Sequence, residues 1–227
     1  IEHKGVLMII GVCGLIGAGK DTIADYLVNV HEFRRESFAN TLKDAVAAVF
    51  GWDRTLLEGR TKQGRQWREQ VDTWWAERLN IPHLTPRWVL QYWGTDVLRN
   101  HFHDDIWVAS LENKLRKSTD DIVISDCRFP NEIRAIKNQG GIVIRVVRGE
   151  EPIWMDAARA YMSGPSTIGW ALGKNVLDTC NIHASEYSWT ATNFDAIVDN
   201  NGTIDNLYEQ MDLVRKQVQP EEQKLAI

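Results

Sequence analysis

Gly14, Gly19 and Lys20 stand in the order G-x-x-x-x-G-K within GVCGLIGAGKDTIADYLV, residues 11–28. That spacing lets consecutive backbone N–H groups wrap phosphate oxygens while one ammonium reaches the same anion. The usual pattern continues with Ser or Thr, whose hydroxyl ligates Mg²⁺. Here Asp21 follows Lys20, and Thr22 comes one place late. A carboxylate among triphosphate oxygens is repelled unless a cation intervenes, so Asp21 implies Mg²⁺ or an arginine beside it, in strongly cationic surroundings. The residues expected on the nucleotide are Gly14, Ile16, Gly17, Ala18, Gly19, Lys20, Asp21 and Thr22. Among them Lys20 bridges the β- and γ-phosphates, and Asp21 and Thr22 lie at the metal.

Two further groups of residues suit anion chemistry. Asp126 and Arg128 follow the apolar run DIVISD (121–126), at the carboxyl end of a strand, where ligands bind in parallel sheets. Asp126 is placed to hold Mg²⁺ through water and Arg128 to grip a phosphate with its planar fork. Arg60, Lys62, Arg65 and Arg68 then cluster, and Arg87, Gln91, Gly94 or Thr95, and Arg99 recur at steps of three or four along PRWVLQYWGTDVLR. On a helix these share one face, which would show two guanidiniums, an amide and a hydroxyl. A charge run is more often a solvated face, but acids are sparse on this stripe and tryptophans surround it. Two phosphate-binding places on one domain point to phosphate moving between two nucleotides.

The elements that must position these residues can be read from periodicity. VLMIIGVC (6–13) is a continuous apolar run suited to a strand buried on both faces, and Ile23, Ala24, Leu27 and Val28 follow at helical spacing. DIVISD, GIVIRVVR (141–148), FDAIVDN (194–200) and a short strand near Phe33–Phe38 bring the strand count to five. Pro130–Gln139, closed by Gly140 and Gly141, reads as a helix between two strands, which implies a parallel pair. Residues 39–115 read as mainly helical, with Thr85 capping a helix that has Pro86 in its first turn. The segment 149–185 has weak periodicity and suits a mobile flap more than a core layer. A last helix is expected from about Ile204 to Val218, before a tail at 219–227.

The chain has 227 residues, a net charge of −5 and three cysteines without metal-ligand spacing. The acidic balance argues against gathering DNA or RNA by counterion release, and the odd, unspaced cysteines fit reduced thiols. No apolar run approaches the roughly 18 residues of a membrane span. A guanine-binding N-K-x-D is absent, as is a Gln or Glu after Asp126 to activate water; Cys127 and Phe129 stand there instead. A nucleotide switch or motor is thereby disfavoured, and a dephospho-coenzyme A or other small-molecule kinase is the alternative reading.

GLIGAGKDT, SFANTLKDAVAAVFG (37–51), LLEGRTKQGRQWREQVDTWW (56–75), TPRWVLQYWGTDVLRNHFHDDIWV (85–108), ISDCRFPNEIRAIKNQGG (124–141) and HASE (183–186) together resemble the deoxynucleoside monophosphate kinases of tailed bacteriophages. The Asp after Lys20 belongs to that family's loop. The resemblance implies one α/β P-loop kinase domain, a three-layer fold with a five-stranded parallel sheet of order 2-3-1-4-5. Its core would be 5–38, 116–148 and 186–219, its monophosphate-binding helical region 39–115, and its lid 149–185. It implies transfer of the ATP γ-phosphate, with Mg²⁺, to a deoxynucleoside 5′-monophosphate, including hydroxymethylated pyrimidines in some phage versions. The implied site for reaction and metal is Lys20, Asp21, Asp126 and Arg128. The implied deoxynucleotide cradle is Ser37, Phe38, Lys43, Arg65, Trp67, Arg68, Arg87, Gln91, Thr95 and Arg99, with Arg148 or Arg159 as the lid arginine. His183 and Glu186 would hold the lid's return to the core. Neither nucleic acid nor membrane is an expected partner, a homodimer is left open, and the expected location is the cytoplasm of an infected host cell.

Overall fold

A computed structural model describes residues 7–165 and 168–218. It divides into two compact units: one runs through Ser37 and resumes at Lys114, and the other is Phe38–Asn113. The tail expected at 219–227 lies outside the described residues.

The first unit carries the sheet. Strands β1 (Ile9–Cys13), β2 (Arg34–Glu36), β3 (Ile122–Ile124), β4 (Ile142–Val147) and β5 (Ala196–Asp199) pair in parallel in the order β2-β3-β1-β4-β5. Every residue of β1 is buried, as the unbroken apolar run requires of a central strand with covered faces. β3 and β4 are parallel, but β1 lies between them; the β-α-β reading is corrected to that extent, because strand adjacency is not contained in the length of a crossover.

Helix α1 (Lys20–His31) and helix α12 (Ile204–Val218) pack on one face, where Ile23 and Leu27 meet Val12, Ile144, Val198, Leu207 and Met211 in a buried cluster. On α8 (Pro130–Asn138), Ile136 comes so near β1 that a Cβ on Gly11 would lie 2.7 Å from its Cδ1.

The segment expected to suit a mobile flap contains two helices, α9 (Met155–Met162) and α10 (Ile168–Thr179), followed by the short α11 (Ala184–Tyr187). Gly173 of α10 lies directly against the Ala157 carbonyl, while Met155, Ala158 and Leu177 are buried. Small residues allow this close approach of two helices without the bulky apolar repeat on which sequence periodicity depends.

The second unit is helical: α2 (Asn40–Phe50), α3 (Arg54–Glu58), α4 (Lys62–Arg68), α5 (Thr73–Leu79), α6 (Pro86–Gln91), a π-helical segment Tyr92–Arg99, and the start of α7 (Ile106–Leu115). Its caps follow from the sequence. Asp53, Thr61, Asp72 and Thr85 accept from Thr55, Gly64, Trp75 and Trp88 backbone N–H groups. Its core gathers Leu42, Val46, Phe50, Trp52, Leu57, Leu84, Val89 and Trp107, with Phe50 stacked on Trp52 at 4.4 Å. No helix among the described residues is long and apolar enough to cross a membrane.

Candidate functional site

In the first unit the glycine-rich loop leaves β1 and opens α1, so backbone N–H groups and the positive helix end face the same space. Gly19 caps α1 with φ +109°, and Asn200 fills the place a Cβ would need. The Asn200 amide donates to the Ala18 carbonyl at 2.8 Å, tying the turn after β5 to the loop. Sequence reasoning passed over Asn200, although its place in DNNGT just beyond a strand end was the available signal.

Lys20 folds back over the loop, its Nζ donating to the carbonyls of Gly14 at 2.9 Å and Leu15 at 2.8 Å. Burial first, then the charge of Arg128, lower its pKa from the usual lysine value, against the opposing pull of Asp21 and Glu186. An ammonium held in this way gains from an arriving anion. Asp21 is paired with Arg35, which also bonds Asp25 and, at 2.7 Å, the Ser125 hydroxyl. Asp21 thus has an arginine beside it, and Arg35, outside the expected site, supplies it. Ser37 donates its hydroxyl to Asp126 Oδ2 at 2.5 Å.

Arg128 reaches Ser185 Oγ at 3.3 Å and Glu186 Oε1 at 3.5 Å. Its own backbone N–H and that of Phe129 donate to buried Glu132 at 2.8 and 3.1 Å, so one carboxylate fixes the loop that carries the guanidinium. His183, in the same HASE segment, accepts from the Ser185 N–H at 3.2 Å as the cap of α11.

Of the two candidate lid arginines, Arg159 is bound to both oxygens of Glu151 at 2.7 Å and to Asp156 at 2.8 Å. Arg148 is exposed just past β4 and shares a small crevice with Leu15 and Ala18 of the loop. The buried guanidinium there belongs to Arg145, which pairs with Glu151 and lies 5.4 Å over the Trp189 ring.

In the second unit the cations fall into two kinds. Lys43 is committed to Glu58 at 2.8 Å, and Arg54 binds the same carboxylate. Burial would raise the Glu58 pKa, but the hydrogen bonds and charges of Lys43 and Arg54 prevail and bring it to about 2. Arg68 is less well served. Its guanidinium lies against Gly59, where φ is +65° and a Cβ would collide with it. Its Nη1 is 3.5 Å from the Leu57 carbonyl, and its buried Nε has no hydrogen-bond partner among the described residues. Burial, then the charge of Arg87, push it below the ordinary arginine value. Arg65 donates to the Arg60 carbonyl at 2.8 Å, and Arg87 pairs with Glu69 at 3.2 Å. Phe38 is 4 % exposed and contributes packing, whereas Trp67 is half-buried.

The stripe from Arg87 to Arg99 does not run on one α-helix. After Gln91 the chain enters the π-helical segment, and the Asn100 N–H closes it on the Thr95 carbonyl. Steps of four drift by about 40° each around an α-helix. The i→i+5 winding has more residues per turn than an α-helix, so the stripe from Gln91 through Thr95 to Arg99 follows a different line from the one α-helical spacing implies. Gly94 makes the segment fit: it is buried, a Cβ there would sit 2.8 Å from Leu42, and its carbonyl accepts from the Trp107 indole at 2.9 Å.

A model of the family described as deoxynucleotide monophosphate kinase matches residues 69–158. A protein of Acanthamoeba polyphaga mimivirus named "Putative deoxynucleotide monophosphate kinase" is 34 % identical, the match covering 63 % of this chain and 75 % of the relative. The deoxynucleoside-5′-monophosphate kinase of Escherichia phage T5 is 25 % identical over 69 % of this chain and 84 % of its own. Among solved structures, dephospho-CoA kinase from Campylobacter jejuni aligns over 93 % of this chain and 97 % of its own at 14 % identity, with a TM-score of 0.38. The mimivirus relative, three quarters covered at this identity, is decisive: the chain belongs to the deoxynucleotide monophosphate kinase family.

Proposed function

We propose that the chain transfers the γ-phosphoryl group of ATP to a deoxynucleoside 5′-monophosphate, yielding the diphosphate and ADP. The observation that carries this reading is the position of Lys20, half-buried at the mouth of a glycine-rich loop with its Nζ on the Gly14 and Leu15 carbonyls and the charge of Arg128 acting on it. Such a pair is stabilised by a polyphosphate. The loop amides and Lys20 hold the donor phosphates, Arg128 neutralises charge that builds on the transferring group, and Glu132 and Glu186 position Arg128. Of the lid candidates, exposed Arg148 is better placed than Arg159, whose guanidinium is already saturated by carboxylates. In the helical unit Arg65, Arg68, Arg87 and Arg99 receive the acceptor phosphate, with Gln91 and Thr95 beside them, and 149–185 serves as the lid. No general base is required, because a phosphate monoester dianion is already a nucleophile; positioning and charge neutralisation supply the catalysis.

Asp21, Thr22 and Asp126 offer the hard oxygen donors that suit Mg²⁺, which takes one or two carboxylates and completes its shell with water and phosphate oxygens. When bound, Mg²⁺ would screen the triphosphate charge. Among the described residues no cluster of three or more His, Cys, Asp or Glu groups forms a cage for a metal, and none is needed for this use. The test is ADP release from ATP with and without a deoxynucleoside monophosphate. Release that depends on the acceptor and is lost in Lys20→Ala is expected; ATP hydrolysis indifferent to the acceptor would overturn the reading.

A further inference from the structure

The helical unit contains a cavity of about 260 Å³ lined by Trp67, Gln70, Val71, Asp72, Thr73 and Pro86. The end of α4 and the start of α6 form its walls, and the Glu69–Arg87 ion pair joins those two elements. Sites for whole drug-sized ligands run from roughly 300 to 1,000 Å³, so this one suits a single ring system. Its lining residues Trp67 and Pro86 are chain neighbours of Arg68 and Arg87, two of the cations proposed for the acceptor phosphate.

Asp72 gives the cavity its chemistry. Oδ2 accepts from Trp52 Nε1 at 2.7 Å and Oδ1 from the Trp75 backbone N–H at 3.1 Å. Two donors therefore fix the carboxylate before any ligand arrives, and each oxygen keeps further lone-pair capacity. Trp52 also meets Trp67 edge to face at 6.0 Å, so one buried indole supports both the acceptor group and the aromatic wall. Exposed Gln70, on the same lining, can donate as well as accept.

We propose that this cavity is the base subsite of the acceptor, an inference resting on the kinase reading above, and that Asp72 selects guanine. Guanine presents two adjacent donors, N1–H and N2–H₂, to a single carboxylate, and its O6 can accept a hydrogen bond from the Gln70 amide N–H. Adenine and cytosine place a ring acceptor beside their one amine, which a carboxylate repels. Thymine has one donor between two carbonyls. A base that sets a ring nitrogen or carbonyl lone pair against the remaining lone pairs of this carboxylate is rejected by like-charge repulsion, and only guanine meets them with two donors.

The test is kcat/KM for dGMP, dAMP, dCMP and dTMP with wild type and Asp72→Asn, a substitution that keeps a helix-capping oxygen. Wild type is expected to favour dGMP over dTMP by at least about tenfold, and Asp72→Asn to cut that ratio by about tenfold or more. A ratio of rates is insensitive to any loss of folded protein. An unchanged ratio in the variant, or a wild type that favours dTMP, overturns the proposal. Calorimetric binding of dGMP and dTMP to wild type decides the matter without a variant: equal affinities overturn it. Failure of the kinase reading looks different, since no acceptor would then stimulate ADP release.

Discussion

At the scale of single residues, the helical unit holds charges that are well paired and charges that are not. Glu58 is the first kind. Its folded-state pKa of about 2 lies below the ordinary 4.5, so its contribution is complete above about pH 4.5 and is lost as pH falls toward 2. With the Glu58 side chain 23 % exposed, that contribution is on the order of 3 kcal/mol at most. Glu58→Gln should lower Tm at pH 7 and flatten the fall in Tm between pH 4.5 and 2; a parallel acid transition in the variant would remove Glu58 from the account. Arg68 is the second kind, with a buried Nε lacking a partner and Arg87 repelling it. Arg68→Met should leave the ligand-free Tm unchanged or raised, because it replaces a poorly paired buried charge by an apolar chain of similar reach. The same variant should raise the KM for the deoxynucleotide by about tenfold or more, as expected for losing a charge-assisted bond to phosphate. A large drop in Tm with an unaltered KM would reverse the assignment.

At the scale of elements, the π-helical segment depends on one indole. Trp107→Phe removes the hydrogen bond to the Gly94 carbonyl and the pyrrole half of a buried indole, at a cost of at least about 1 kcal/mol in stability. If the segment relaxes to α-helical winding, Arg99 changes its bearing relative to Arg87 and Gln91, so the KM for the deoxynucleotide should rise several-fold while the KM for ATP holds. Equal changes in both would mark a general loss of structure. This element also shows what the sequence could and could not disclose. The strand–loop–helix of residues 9–31, the Gly51 stop, the Thr85 cap and the Pro130 start are local chemistry and legible as such. The i, i+4 recurrence from Arg87 was legible as one helical face, but the π winding was not, because the segment is packed at Gly94 by Leu42 and Trp107, distant in sequence. Arg35 was hidden for a similar reason: it lies on a three-residue strand whose pairing with β3 brings it to Ser125. The packing of α9 on α10 rests on Gly173 and alanines, which leave almost no apolar rhythm to read.

At the scale of the whole molecule, tryptophan is distributed unevenly. Trp52, Trp67, Trp74, Trp75, Trp88, Trp93 and Trp107, seven of the ten, fall within residues 38–113. Intrinsic fluorescence is therefore a report from the helical unit. A deoxynucleoside monophosphate added alone should alter the emission with the saturation seen in kinetics, and a non-hydrolysable ATP analogue should alter it much less. An acceptor that saturates the kinetics without touching the emission would place its site outside residues 38–113. The Asn200 bond to the Ala18 carbonyl carries a consequence for the order in which a ribosome delivers the chain. The phosphate loop is made before the helical unit, but its strand must wait for β3 and β4, which follow that unit in the chain, and its turn is closed by a side chain 182 positions after Ala18. At roughly 5–20 residues per second, the loop would spend about ten seconds or more as unsupported nascent chain. Nucleotide should therefore bind stalled chains that have exposed Asn200 and not those arrested before β5, so competence for ATP trails the motif by the whole stretch of synthesis that separates Ala18 from Asn200.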